Sequence, residues 1–111
     1  MKLYIDTSSN QKTIVALNGR KLERSSRIWH SQVVLPLIDK LLRSTGKKLS
    51  DIKEIKVNTG PGSFTGLRVG VGIANALGWS LKVPVNGKKV SPKRILEPVY
   101  EARMSSASTP S

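Results

Sequence analysis

The sequence predicts a single α/β domain in the order βββαβαβ, a mixed sheet with two helices on one face. Three observations predict it. Short runs of alternating hydrophobicity flank the pair Asn18-Gly19, apolar residues recur at three- and four-residue steps from Val34, and a strand, a glycine turn and a helix follow one another in "NTGPGSFTGLRVGVGIANALGW". At 111 residues and 38% hydrophobic content the chain holds one core. A domain of this size buries only about 60 to 65% of its unfolded surface and gains from a partner that covers apolar area.

Each element has a local reason. "KLYID" alternates and is β-branched enough for a strand, "TSSNQK" is a polar turn, and "TIVALN" returns as a second strand. Asn18-Gly19 favours the positive φ values of a tight hairpin turn and leads into a polar third strand with Leu22 and Ile28 on it. From His30 the period changes: Val34, Leu37, Ile38, Leu41, Leu42 and Thr45 make the stripe of an amphipathic helix. Ser31 is its expected N-cap, Gly46 its C-cap, and Pro36 sits near enough to the first turn to remove at most one helical hydrogen bond. "LSDIKEIKVN" reads as a capped turn from Ser50 and a fourth strand through Ile55 and Val57. After the turn Gly60-Pro61-Gly62, a helix runs from Ser63 or Phe64 to about Leu81, and "KVPVN" makes a last short strand in which Pro84 suits an edge. Residues 1–86 are thus the domain, 87–94 a basic linker, 95–103 a docking strand or hook, and 104–111 a disordered polar tail.

Composition excludes several chemistries. With no cysteine there are no disulfides, thiolates or cysteine zinc sites, and a single histidine argues against a histidine metal centre. No metal and no cofactor are expected. No apolar run approaches the roughly 18 residues of a membrane helix, and "MKLYIDTSSN" lacks a signal-peptide core, so a cytoplasmic protein is expected. Nineteen basic residues against seven acidic give a formal charge of +12, enough to attract polyanions at long range. Only five aromatic residues are present, so a base-stacking platform is not supported; a solvated basic surface is the first reading, with contact to phosphates the alternative.

The glycine passage asks for a choice between a phosphate cradle and a packing surface. Glycines at 60, 62 and 66 form neither G-x-G-x-x-G nor a Walker loop, and no acidic residue lies about 20 positions on to hold a ribose. Inside the helix, Gly66, Gly70, Ala74 and Gly78 fall every fourth residue, a pattern that offsets the helix cost of glycine by close packing. A second stripe of Val69, Ile73, Ala76 and Leu77 is expected to cover the sheet, leaving the small stripe for the first helix or another chain. Asp6 reads as a structural carboxylate bonded to the following turn, and His30 as a hydrogen-bonder at a helix start.

"YIDTSS", "HSQVVLPLIDKLL" and above all "GPGSFTGLRVGVGIANALG" resemble the N-terminal domain of the TsaB (YeaZ) family, over about residues 1 to 86. "EPVY" followed by Arg103 resembles the family's closing motif. The resemblance implies an actin-like, ribonuclease-H-like (ASKHA) lobe; the family's second domain, which would fall between Asn86 and Glu97, is expected to be missing. It also implies a non-catalytic scaffold in the complex that makes N6-threonylcarbamoyladenosine at tRNA adenosine 37. A TsaD-type subunit would be the catalyst, a TsaE-type ATPase a further partner, TsaC the source of the adenylate, and a homodimer an alternative pairing. Carried onto this chain, the subunit contact would use Leu35, Ile38 and Leu42 with Gly66, Leu67, Gly70 and Ala74, while Gly60, Pro61, Gly62 and Ser63 form the turn and cap that set the second helix's angle. A vestigial nucleotide-binding lobe and a stand-alone basic RNA-binding module are the alternatives.

Overall fold

The computed structural model describes residues 1–9, 11–25 and 33–91. Its elements are β1 (Lys2–Asp6), β2 (Lys12–Leu17), β3 (Arg20–Ser25), α1 (Val34–Thr45), a single 3-10 turn at Leu49–Asp51, β4 (Glu54–Val57) and α2 (Phe64–Leu81). The sheet order is β3-β2-β1-β4, with β1 antiparallel to β2 and parallel to β4. Asn18 and Gly19 both take positive φ, 49° and 86°, as the hairpin turn requires.

Register explains why one face is buried. Leu3 pairs with Leu17 on one side and Ile55 on the other, and Ile5 pairs with Val15 and Val57, so all six side chains point to the same face. Onto that face α1 brings Val34, Leu37, Ile38, Leu41 and Leu42, lying over β2 and β3, while α2 lies over β1 and β4. Both helices therefore share one face, as the sequence predicts. Each fully buried Leu, Ile or Val contributes about 1.5 to 3 kcal/mol relative to exposure. Gly46 ends α1 in the left-handed conformation, φ 68°, and its amide and that of Lys47 satisfy the carbonyls of Arg43 and Leu42.

One expectation changes. The fifth strand shrinks to one parallel bridge, Ile55 to Val85: the Ile55 amide donates to Pro84 O and the Asn86 amide to Ile55 O. It goes no further because Asn86 has φ 51° and, with Gly87 at 79°, reverses the chain so that Lys88 pairs back onto Val85. Pro84, which has no N–H, further limits the ladder. The Asn86 side chain continues the pairing in place of backbone, accepting from the Val57 amide and donating to its carbonyl. The first helix begins at Val34, after a Val33 that gives no side-chain cap. The expected start at His30 with its cap Ser31, Ile28 of the third strand, and residues 92–111 with the hook and tail all lie outside the described residues.

Candidate functional site

The carboxyl ends of β1 and β4 meet the start of α2, and the residues there are knitted to one another. Asp6 accepts from the Ser8 amide (2.9 Å), the Ser8 hydroxyl (2.6 Å), the Asn58 side chain (3.3 Å) and the Tyr4 hydroxyl (3.2 Å). Asn58 in turn accepts from the Gly60 amide, and the Ser63 amide donates to Ser8 O at 2.7 Å. Gly62 is required by this closeness: a Cβ there would stand 2.7 Å from both Cβ and O of Ser8. Ser63 caps α2 by accepting from the Gly66 amide, as expected for the turn and cap formed with Gly60 and Pro61. The turn after β1 and the turn before α2 thus occupy each other, and Asp6 is the structural carboxylate that the sequence suggests.

Burial alone would raise the Asp6 pKa, but the hydrogen bonds from Ser8, Asn58 and Tyr4 outweigh it and hold the carboxyl below its ordinary value. Burial, with the neighbouring Asp6 charge, pushes the Tyr4 phenol up. A carboxylate whose pKa is lower folded than unfolded contributes stability above its unfolded value of about 4, and loses it as pH falls through the folded value. Asp6→Asn is therefore expected to lower the urea midpoint at pH 7, with the gap from wild type narrowing at pH 3. A gap that widens on acidification would contradict this role.

The two apolar stripes of α2 lie opposite to the sequence expectation. The small stripe faces the chain's own sheet. Thr7, fully buried at the end of β1, donates its hydroxyl to Gly66 O, and a Cβ on Gly70 would overlap Thr7 Oγ1. A Cβ on Gly78 would overlap Val85. Glycine is used here so that helix and sheet can approach closely. Of the seven residues expected at a subunit contact, Ile38, Leu42, Leu67 and Ala74 are buried in this chain's interior, Gly66 and Gly70 are buried beside Thr7, and Leu35 alone is exposed, at 51%.

The stripe expected on the sheet turns outward instead. Val69 and Ile73 are half-exposed, Gly72 and Ala76 are exposed, and Trp79 is 57% exposed. Ile73 and Leu77 still touch the core along one edge. A surface helix normally turns a polar face to water; the outward face of α2 instead sets Val69, Gly72, Ile73, Ala76 and Trp79 among the polar Thr65 and Ser80 and the helix's one charged residue, Arg68. Leu35 presents a further exposed apolar side chain on α1.

A protein-family model described as TsaD, tRNA N6-adenosine threonylcarbamoyltransferase, matches residues 7–88. The tRNA threonylcarbamoyladenosine biosynthesis protein TsaB of Escherichia coli (strain K12) is 33% identical over 88 residues, covering 77% of this chain and 38% of that protein. The tRNA N6-adenosine threonylcarbamoyltransferase of Syntrophus aciditrophicus (strain SB) is 43% identical over 58 residues, 52% of this chain and 17% of that protein. Among solved structures, YeaZ from Pseudomonas aeruginosa superposes with a TM-score of 0.64 at 35% identity, over 76% of this chain and 40% of its own. The chain spans about two-fifths of the length of these TsaB and YeaZ relatives.

Proposed function

The chain belongs to the tRNA N6-adenosine threonylcarbamoyltransferase (TsaD) family, on its TsaB (YeaZ) branch, and we propose that it is a non-catalytic subunit supporting a TsaD-type catalyst in the attachment of threonylcarbamoyl to adenosine 37 of tRNA. Its four-stranded mixed sheet with two helices on one face is an actin-like lobe of the ribonuclease-H-like (ASKHA) class. The observation that carries the proposal is the outward apolar face of α2, Val69, Gly72, Ile73, Ala76 and Trp79, with Leu35 of α1 as a further exposed apolar group. Such a face asks for a cover of similar shape. The family match to a transferase supplies the candidate, because two homologous lobes can pair through equivalent helices in a pseudo-symmetric contact.

In this arrangement the small stripe and Ile38, Leu42, Leu67 and Ala74 support the contact from beneath, and the exposed residues make it. A TsaE-type ATPase and tRNA join the same assembly, in the cytoplasm; among the described residues no helix is long and apolar enough to cross a membrane. A nucleotide-binding lobe is the weaker reading, since the glycines at 60, 62 and 66 form no phosphate loop and the Asp6 carboxylate beside them is engaged by Ser8, Asn58 and Tyr4. Co-purification of the full chain with the TsaD-type subunit tests the proposal, and persistent failure to associate would reject it. Without that subunit, the same face is expected to pair two copies at tens of micromolar, roughly the range of a modest Kd, and sedimentation would reveal a strict monomer if it does not.

A further inference from the structure

The end of the sheet away from Asp6 carries a second feature. There the start of β1, the β2–β3 turn and the C-terminus of α1 surround an open cleft of about 350 Å³ whose walls include Met1, Leu17, Asn18, Arg20, Thr45 and Lys47. Beyond the cleft walls, Lys48 follows Lys47 directly in the chain, and Lys53 is tied to Met1 O through its amide while its ammonium reaches Ser50 O at 3.5 Å. Two acidic groups are described nearby: Glu54 pairs with Lys2 at 3.9 Å, and Asp51 accepts from the Lys48 amide at 2.8 Å and keeps its charge, so Arg20, Lys47, Lys48 and Lys53 outnumber the unpaired carboxylate. The Gly46 and Lys47 amides also satisfy the last carbonyls of α1, so the negative end of that helix is partly neutralised. Asn18 accepts from the Lys2 amide through Oδ1, which leaves its NH2 group as a donor at the cleft.

We infer that this basic pole, Arg20, Lys47, Lys48 and Lys53 with Asn18, is where the chain holds the phosphate backbone of tRNA. The inference rests on the proposed role in tRNA modification, and it adds the place and the mode of contact. The described cleft walls set Arg20, Lys47, Asn18, Ser44 and Thr45 beside the apolar Met1 and Leu17 and carry no aromatic side chain, which allows phosphate contact and gives no base-stacking platform, so the contact is independent of RNA sequence. It also leaves the outward face of α2 free for the protein partner. The chain's surplus of +12 drives the encounter, and the pole localises it.

The test is the affinity of the full chain alone for an unmodified tRNA transcript across a salt series. Arg20→Gln, Lys47→Gln and Lys48→Gln together are expected to weaken binding about tenfold or more near 0.1 M salt. They should also flatten the plot of log K against log salt by about 2 to 3, since each phosphate contact contributes roughly 0.7 to 0.9. A control triple with equal loss of charge at the far end, Lys12→Gln, Arg24→Gln and Arg68→Gln, is expected to change affinity less than about threefold and leave the slope nearly unaltered. Equal effects from the two triples would overturn the inference, because binding would then follow net charge alone. So would loss of binding to phosphatidylglycerol vesicles with tRNA binding intact, which would make the pole a lipid surface. Because no partner protein is present in this measurement, failure of the chain to pair with a TsaD-type subunit would leave its result standing.

Discussion

Replacing Gly70 with leucine is expected to cost about 3 kcal/mol or more of stability, whereas replacing Gly72, two residues along the same helix, with alanine is expected to gain about 0.5 to 1 kcal/mol. The contrast is purely one of surroundings. A Cβ at position 70 would overlap Thr7 Oγ1 and lie 3.3 Å from Thr7 Cβ, while at position 72 nothing stands within 4 Å. Leucine at 70 would push α2 off β1 and break the hydrogen bond from Thr7 to Gly66 O, leaving a buried hydroxyl without its acceptor. For a small domain with a total stability of about 5 to 10 kcal/mol, that loss reaches function through the fold. Urea denaturation of the two variants measures both effects; similar midpoints would mean that α2 is not seated on the sheet through its small stripe.

Ala76→Arg is expected to behave in the opposite way, leaving the melting temperature within about 2 °C of wild type while weakening association with a TsaD-type subunit by roughly 100-fold, or about 2.7 kcal/mol. Ala76 is exposed, and arginine is a good helix former, so the free chain has little reason to object. In a contact made through Val69, Gly72, Ile73 and Trp79, the same side chain would place an unpaired charge among apolar groups. Formation of threonylcarbamoyladenosine in a reconstituted system should fall with the association. A variant that pairs normally would remove this face from the contact.

How far these features were legible in the sequence depended on whether the information was local. The hairpin at Asn18-Gly19, the C-cap at Gly46 and the N-cap at Ser63 follow from backbone chemistry within a few residues, and each stands where the sequence puts it. The core face of α1 was equally clear, since its polar side alternates with Leu37, Ile38, Leu41 and Leu42 at helical spacing. α2 was not, because a helix with one charged residue in its 18 is apolar nearly all round, and periodicity cannot say which apolar stripe goes inward. The deciding contact comes from Thr7, 59 residues before Gly66, and favours glycine because backbone must meet side chain there. The short reach of the last strand was hidden for a similar reason. Asn86 looks like the end of a strand, but its side chain replaces a rung of the ladder while its positive φ turns the chain away. The Asp6 cluster was half visible: a carboxylate bonded to its own turn was foreseeable, and the contribution of Asn58 from the other loop was not.

The most direct measurement is hydroxyl-radical footprinting of Trp79 in the full chain, alone and with the TsaD-type subunit, read beside sedimentation of the same mixture. Trp79 is 57% exposed in the chain by itself and stands on the outward face of α2. The expected result is a complex in which oxidation of Trp79 falls several-fold while oxidation of Tyr4, on the opposite side of the sheet, is unchanged. A complex that leaves Trp79 as reactive as before, or no complex at all, would contradict it.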